Sequence, residues 1–188
     1  MSERIPGFPG EYLWEFDIAE RQLGALAEAF PPERYGWRPA PTARSVSEIL
    51  VHVAAGNFML LAFTGVEAAP DLYGKLEDDM RSRFQAIVAR NDDMEKTVTG
   101  KNAVVALLKR SLEAVRTAFG RASESELERS VKFLFEQTTV RRVYLRSLAH
   151  MHEHMGQLTA YTRAMELPAP WPDWRDAARK KPERGETA

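Results

Sequence analysis

"TVRRVYLRSLAHMHEHMGQLTAYTRAM", residues 139–165, runs without a proline until "ELPAPWPDW" follows it, whose prolines forbid a helix to continue. The stretch reads as one long helix. Each helical residue turns about 100°, so His150 and His154, four apart, share a face, while His152 points away from both. That i,i+4 spacing puts two imidazoles within reach of one metal ion, as in the zincin motif. The motif itself is absent, because no glutamate directly follows His150, and metalloprotease chemistry by that route is disfavoured.

Working outward, three further segments carry helical periodicity. "SVSEILVHVAAGNFMLLAF" (45–63) opens on Ser45, a good N-cap, with Glu48 three residues on to complete a capping box. "NAVVALLKRSLEAVRTAFGRA" (102–122) aligns Val104, Leu107, Leu108, Leu112, Val115 and Phe119 on one side and charges on the other. "EYLWEFDIAERQLGALAEAF" (11–30) places Leu13, Phe16, Leu23, Leu26, Ala27 and Phe30 at three- and four-residue steps and stops at Pro31 and Pro32. The Pro/Gly-rich "ERYGWRPAPTAR" (33–44) reads as an ordered loop that Tyr35 and Trp37 can pin to the bundle. Residues 64–74 look like a connection, 75–100 hold a short amphipathic helix around Met80, Phe84 and Ile87, and "SVKFLFE" (130–136) is a short extended segment or loop. The expected fold is all-α: a four-helix bundle with an additional short helix or loop insertion between helices 2 and 3. Residues 1–174 form a single domain in this reading, and the polar, basic 175–188 form a flexible tail.

Composition narrows the chemistry. The 188 residues are 44% hydrophobic and 28% charged, enough for one domain with a substantial core. Twenty-six Lys+Arg against 27 Asp+Glu give a net charge of -1, and with no obvious basic stripe no nucleic-acid partner is expected. The absence of cysteine removes disulfides, thiolate ligands and cysteine nucleophiles, so any metal is held by His, Asp or Glu. "MSERIPGFPGEYLW" lacks the apolar core of a signal peptide, and the apolar stretch near "NFMLLAFTGV" is short for a bilayer. A cytoplasmic protein without a membrane partner is expected, and aromatic and methionine side chains at helix edges would suit a homodimer.

Two imidazoles make a weak site, and His52 is the one histidine on another helix. Glu48, Ile49, His52, Val53, Gly56 and Met59 fall on adjoining turns, an apolar stripe with His52 at its edge. Three neutral imidazoles would leave a divalent ion its full charge and an open position, the pattern of catalytic sites. Water there would approach a neutral pKa, and a thiol would bind as thiolate. A lone histidine on an apolar face is also a common hydrogen-bonded core residue, and spacing alone does not choose between the two readings.

"YGWRPAPTARSVSEILVHV" (35–53) and "LAHMHEHMGQLTAYTRAMELPAPW" (148–171) together resemble the DinB/YfiT-like superfamily of metal-dependent four-helix-bundle proteins. The shared pattern is a Trp-Arg-Pro loop before a capped helix with one histidine, then H-x-x-x-H, then "GQL" and prolines, from about Tyr12 to Trp171. The resemblance implies that His52, His150 and His154 hold a divalent ion, nickel or zinc. It matches Gly156 to a close helix packing and Gln157 to a place beside the site, and it gives Trp37, Arg38 and Pro39 a structural role. Glu48, one turn before His52, is a candidate catalytic partner or fourth ligand, although the capping box explains it equally well. The activity implied is that of a thiol-dependent S-transferase or a metal-assisted hydrolase acting on a small molecule, with a low-molecular-weight thiol as co-substrate. Set against it are a non-catalytic metal-binding or stress-associated bundle and a plain bundle with core histidines.

Overall fold

A computed structural model of the chain describes residues 7–171 except 68, 77, 78, 135 and 169. The tail at 175–188 and the two ends of the 1–174 domain lie outside the described residues. Four helices form the bundle: α1 (Gly7–Ala29), α2 (Val46–Phe63), α5 (Lys101–Arg121) and α7 (Val140–Ala164). Helix α1 packs on α5 and α7, and α2 packs on the same two, so the four close into a ring. Their facing side chains form the core, with Phe16, Leu23, Leu26 and Phe30 meeting Ile49, Leu50, Leu108, Leu112, Met151 and Leu158 in full burial.

Local signals set the ends. Helix α1 begins at Gly7, inside the Pro/Gly-rich lead, because Pro9 falls in the first turn, where no intrahelical N–H is needed. The Ser45 capping box is formed: Ser45 Oγ accepts from Glu48 N–H at 3.3 Å, and Ser45 N–H donates to Glu48 Oε2 at 2.8 Å. Helix α2 ends at Phe63 with Thr64 as its C-cap, followed by Gly65 at φ +89°, a conformation that favours glycine. Thr139 caps α7, and at its far end Leu167 N–H bonds Thr162 C=O before Pro168. With 18 residues and mean hydropathy 1.7, α2 has the length and apolarity of a membrane span, but 72% of it is buried against the other helices.

Between α2 and α5 lie a single turn, α3 (Pro70–Tyr73), and α4 (Met80–Thr97). The inserted helix is longer than the sequence suggested: at 18 residues it equals α2, against whose outer side it packs. A short helix α6 (Glu124–Glu128) leads to an antiparallel hairpin of β1 (Ser130–Phe133) and β2 (Glu136–Thr139), the extended segment expected before α7. The 33–44 loop is tied down as its aromatics suggested. Tyr35 Oη donates to Ala27 C=O at 2.7 Å, and Trp37 packs edge-on against Tyr161 of α7, ring centres 5.2 Å apart.

Candidate metal centre

Helices α2 and α7 are neighbours in the ring, and at mid-height they bring three imidazoles together. His150 Nε2 stands 3.2 Å from His52 Nε2 and 3.1 Å from His154 Nε2, and the three nitrogens all lie within 4.8 Å of one another. His154 is buried, and His52 and His150 are half-buried. His152 faces solvent, as the helical turn requires.

The outer ring nitrogens decide what the inner ones can do. His52 Nδ1 is 2.6 Å from Glu95 Oε1, at the far end of α4. Burial would raise the Glu95 carboxyl, but bonds to His52 and Arg44 outweigh it and hold it below its ordinary range. An ionised carboxylate only accepts, so Nδ1 carries the proton and Nε2 of a neutral His52 presents a lone pair. His154 Nδ1 likewise donates to Gln157 Oε1 at 2.8 Å, leaving its own Nε2 as an acceptor. His150 has one ring hydrogen when neutral and can satisfy at most one of these two lone pairs. A second proton on His150 is disfavoured, because burial, with His154 and His52 adding to it, pushes His150 down to about 3. His154 is lowered too, chiefly by burial, against the opposing pull of its bond to Gln157.

A cation at the centre would satisfy all three nitrogens at once. Nitrogens about 2.0–2.1 Å from one ion in a tetrahedral arrangement stand about 3.3 Å apart, close to the 3.2 and 3.1 Å that separate His150 Nε2 from the other two. Hard oxygen-preferring ions are poorly served by three imidazoles, whereas zinc, nickel, copper or iron are well served.

Around the imidazoles the charged groups are paired. Arg44 donates to Glu95 through Nε at 2.7 Å, and the Arg44 carbonyl accepts from Tyr161 Oη at 2.9 Å. Glu48 is occupied elsewhere. One oxygen serves the Ser45 cap, the other accepts from Arg38 Nη2 at 2.7 Å, and these bonds hold its carboxyl below the ordinary range against the raising effect of burial. The structure thus brings His52, His150, His154 and Gln157 together and gives the place beside His52 to Glu95, not to Glu48. Gly156 makes no close packing: a Cβ there would meet nothing within 4 Å. The sequence marks Glu95 only faintly, because the 64–100 region lacks a clear register. The signal was present in Ile87, Asn91 and Met94, all buried, which put residue 95 on the same inward face.

The sequence profile of the DinB superfamily matches residues 15–158. The chain belongs to the DinB superfamily. Solved structures share the fold at low identity. A DinB-like protein from Bacillus cereus is 14% identical with a TM-score of 0.63, over 86% of this chain and 95% of that one. A mycothiol-dependent maleylpyruvate isomerase is 16% identical with a TM-score of 0.56, over 82% of this chain and 61% of the isomerase. The colibactin self-resistance protein ClbS, in complex with a dsDNA, is 15% identical with a TM-score of 0.59, over 85% and 98%. No curated protein matches. The ClbS complex corrects the exclusion of nucleic acid drawn above from net charge. A protein of this DinB-like fold holds DNA, and a whole-molecule charge near zero describes the summed field rather than any one surface.

Proposed function

We propose that His52, His150 and His154 hold one divalent ion, nickel or zinc, through Nε2, and that this DinB-superfamily protein is a metal-dependent enzyme working with a low-molecular-weight thiol. The observation that carries the reading is the convergence of three Nε2 atoms, with the His52 lone pair enforced by the Glu95 carboxylate and the His154 ring paired to the Gln157 carbonyl. A divalent ion held by these three residues would supply Lewis acidity, lowering the pKa of a thiol or a water towards neutral. The chain's own groups do the rest. Glu95 fixes the tautomer and direction of the His52 ring, and Gln157 does so for His154. Bonds from His52 and Arg44 keep Glu95 ionised, and the bond from Tyr161 to the Arg44 carbonyl ties the end of the 33–44 loop to α7. The thiol assignment draws on the mycothiol-dependent isomerase of the same fold, and it suits a cytoplasmic setting, where such thiols stay reduced.

Elemental analysis of untagged protein tests the metal. We expect about one nickel or zinc per chain, lost in His150→Ala; a chain free of stoichiometric metal would sink the proposal. Enzyme and binder separate in a screen of the metal-loaded protein with several small thiols and electrophiles, where turnover should vanish in His52→Ala. Equal rates in the two proteins would leave the second reading, metal binding without catalysis. The ClbS complex supplies that reading with a partner to assay, double-stranded DNA by gel shift.

A further inference from the structure

Gly56 lies inside α2, one turn after His52, and unlike Gly65 and Gly74 it does not have a positive φ. Glycine is a poor helix former, so a buried glycine at mid-helix calls for a reason in its packing. A Cβ on Gly56 would stand 2.5 Å from Cε1 of His150, 3.0 Å from its Nδ1 and 3.5 Å from its Nε2. The first distance is one that real side chains do not adopt, so the space a side chain would fill at residue 56 is taken by the imidazole. His150 also differs from its two neighbours in lacking a hydrogen bond at its outer ring nitrogen. Its Nδ1 is buried without a partner among the described residues, whereas Glu95 holds His52 and Gln157 holds His154.

We propose that Gly56 is the positioning residue for His150, seating by shape the one ring of the three whose outer nitrogen no partner holds. Any larger residue at 56 turns the ring and draws its Nε2 away from the other two. The consequence for metal binding rests on the three-histidine reading above; the contact between Gly56 and His150 does not.

The two are separated by a thermal cycle on metal-free protein and a Co²⁺ titration followed by visible absorption. In the cycle, Gly56→Ala should lower Tm when His150 is present. In a His150→Ala background the same change should raise Tm by about 2–4 °C, since alanine is the better helix former and the clash is gone. In the titration, Gly56→Ala should weaken Co²⁺ at least tenfold. Equal Tm shifts in the two backgrounds, or Co²⁺ affinity within twofold of wild type, would overturn the proposal. Wild-type protein that takes up no Co²⁺ counts against the metal reading, and the thermal cycle then decides alone whether Gly56 seats His150.

Discussion

Glu95 shows how one carboxylate sets the chemistry of a ring it only touches. Its bond to Nδ1 turns the His52 lone pair inward and makes the imidazole a stronger donor, while Arg44 stops the carboxyl from taking up the proton itself. Glu95→Gln keeps the shape and removes the charge, and an amide that turned its NH₂ toward Nδ1 would favour the opposite tautomer. Removing such a supporting group typically costs metal affinity about 10–100-fold. We expect a loss in that range for Glu95→Gln in a competition titration with a chromophoric chelator, and little change for Glu48→Gln, whose partners are Ser45 and Arg38. If Glu48→Gln costs the metal more than Glu95→Gln does, the roles assigned to the two carboxylates are reversed.

At the scale of the element, legibility followed the strength of the local signal. Helices α2 and α7 were readable because a capping box, an uninterrupted period and terminal prolines all agree, and the histidine pairing follows from the turn angle alone. Helix α4 was half legible. Its core-facing residues are spaced around arginines and aspartates, and its start at Asp79 depends on a side-chain cap to Ser82 N–H rather than on any apolar run. Nothing in a single sequence says that such a helix docks beside α2 rather than elsewhere, so Glu95 could not be assigned to His52 from sequence. Gly56 was visible on the stripe of α2, but a steric role needs the partner ring. The dependence of the site on α4 is testable away from the site. Ile87 is buried two turns before Glu95, and Ile87→Ala should cost about 2–5 kcal/mol of local packing. Loosening α4 in this way should weaken metal binding as Glu95→Gln does, while thermal unfolding remains cooperative. Unchanged metal affinity in Ile87→Ala would mean that the carboxylate finds His52 without help from its helix.

Across the whole molecule, the three imidazoles join α2 to α7 over 98 residues of chain, from His52 to His150, and the protonation of the α7 pair, His150 and His154, acts on the stability of the bundle itself. In the metal-free protein burial lowers His150 to about 3 and lowers His154 as well, whereas an unfolded histidine titrates near 6.5. The folded pKa lies below the unfolded one, so on acidification the unfolded chain takes up protons that the folded chain refuses. The stability contributed by keeping these rings neutral is therefore complete above about pH 6.5 and is lost as the pH falls toward about 3. One such ring costs about 2 kcal/mol between pH 6.5 and 5. The lowered Glu48 and Glu95 carboxyls act in the same direction, but only from their ordinary value of 4.5 downward. Urea unfolding in the presence of a chelator should therefore show stability already falling between pH 6.5 and 5, and His150→Asn should flatten that part of the curve. A wild-type midpoint equal at pH 7 and pH 5 would mean that the imidazoles accept protons without leaving the bundle, and the lone-pair conflict at their centre would need another resolution than a bound cation.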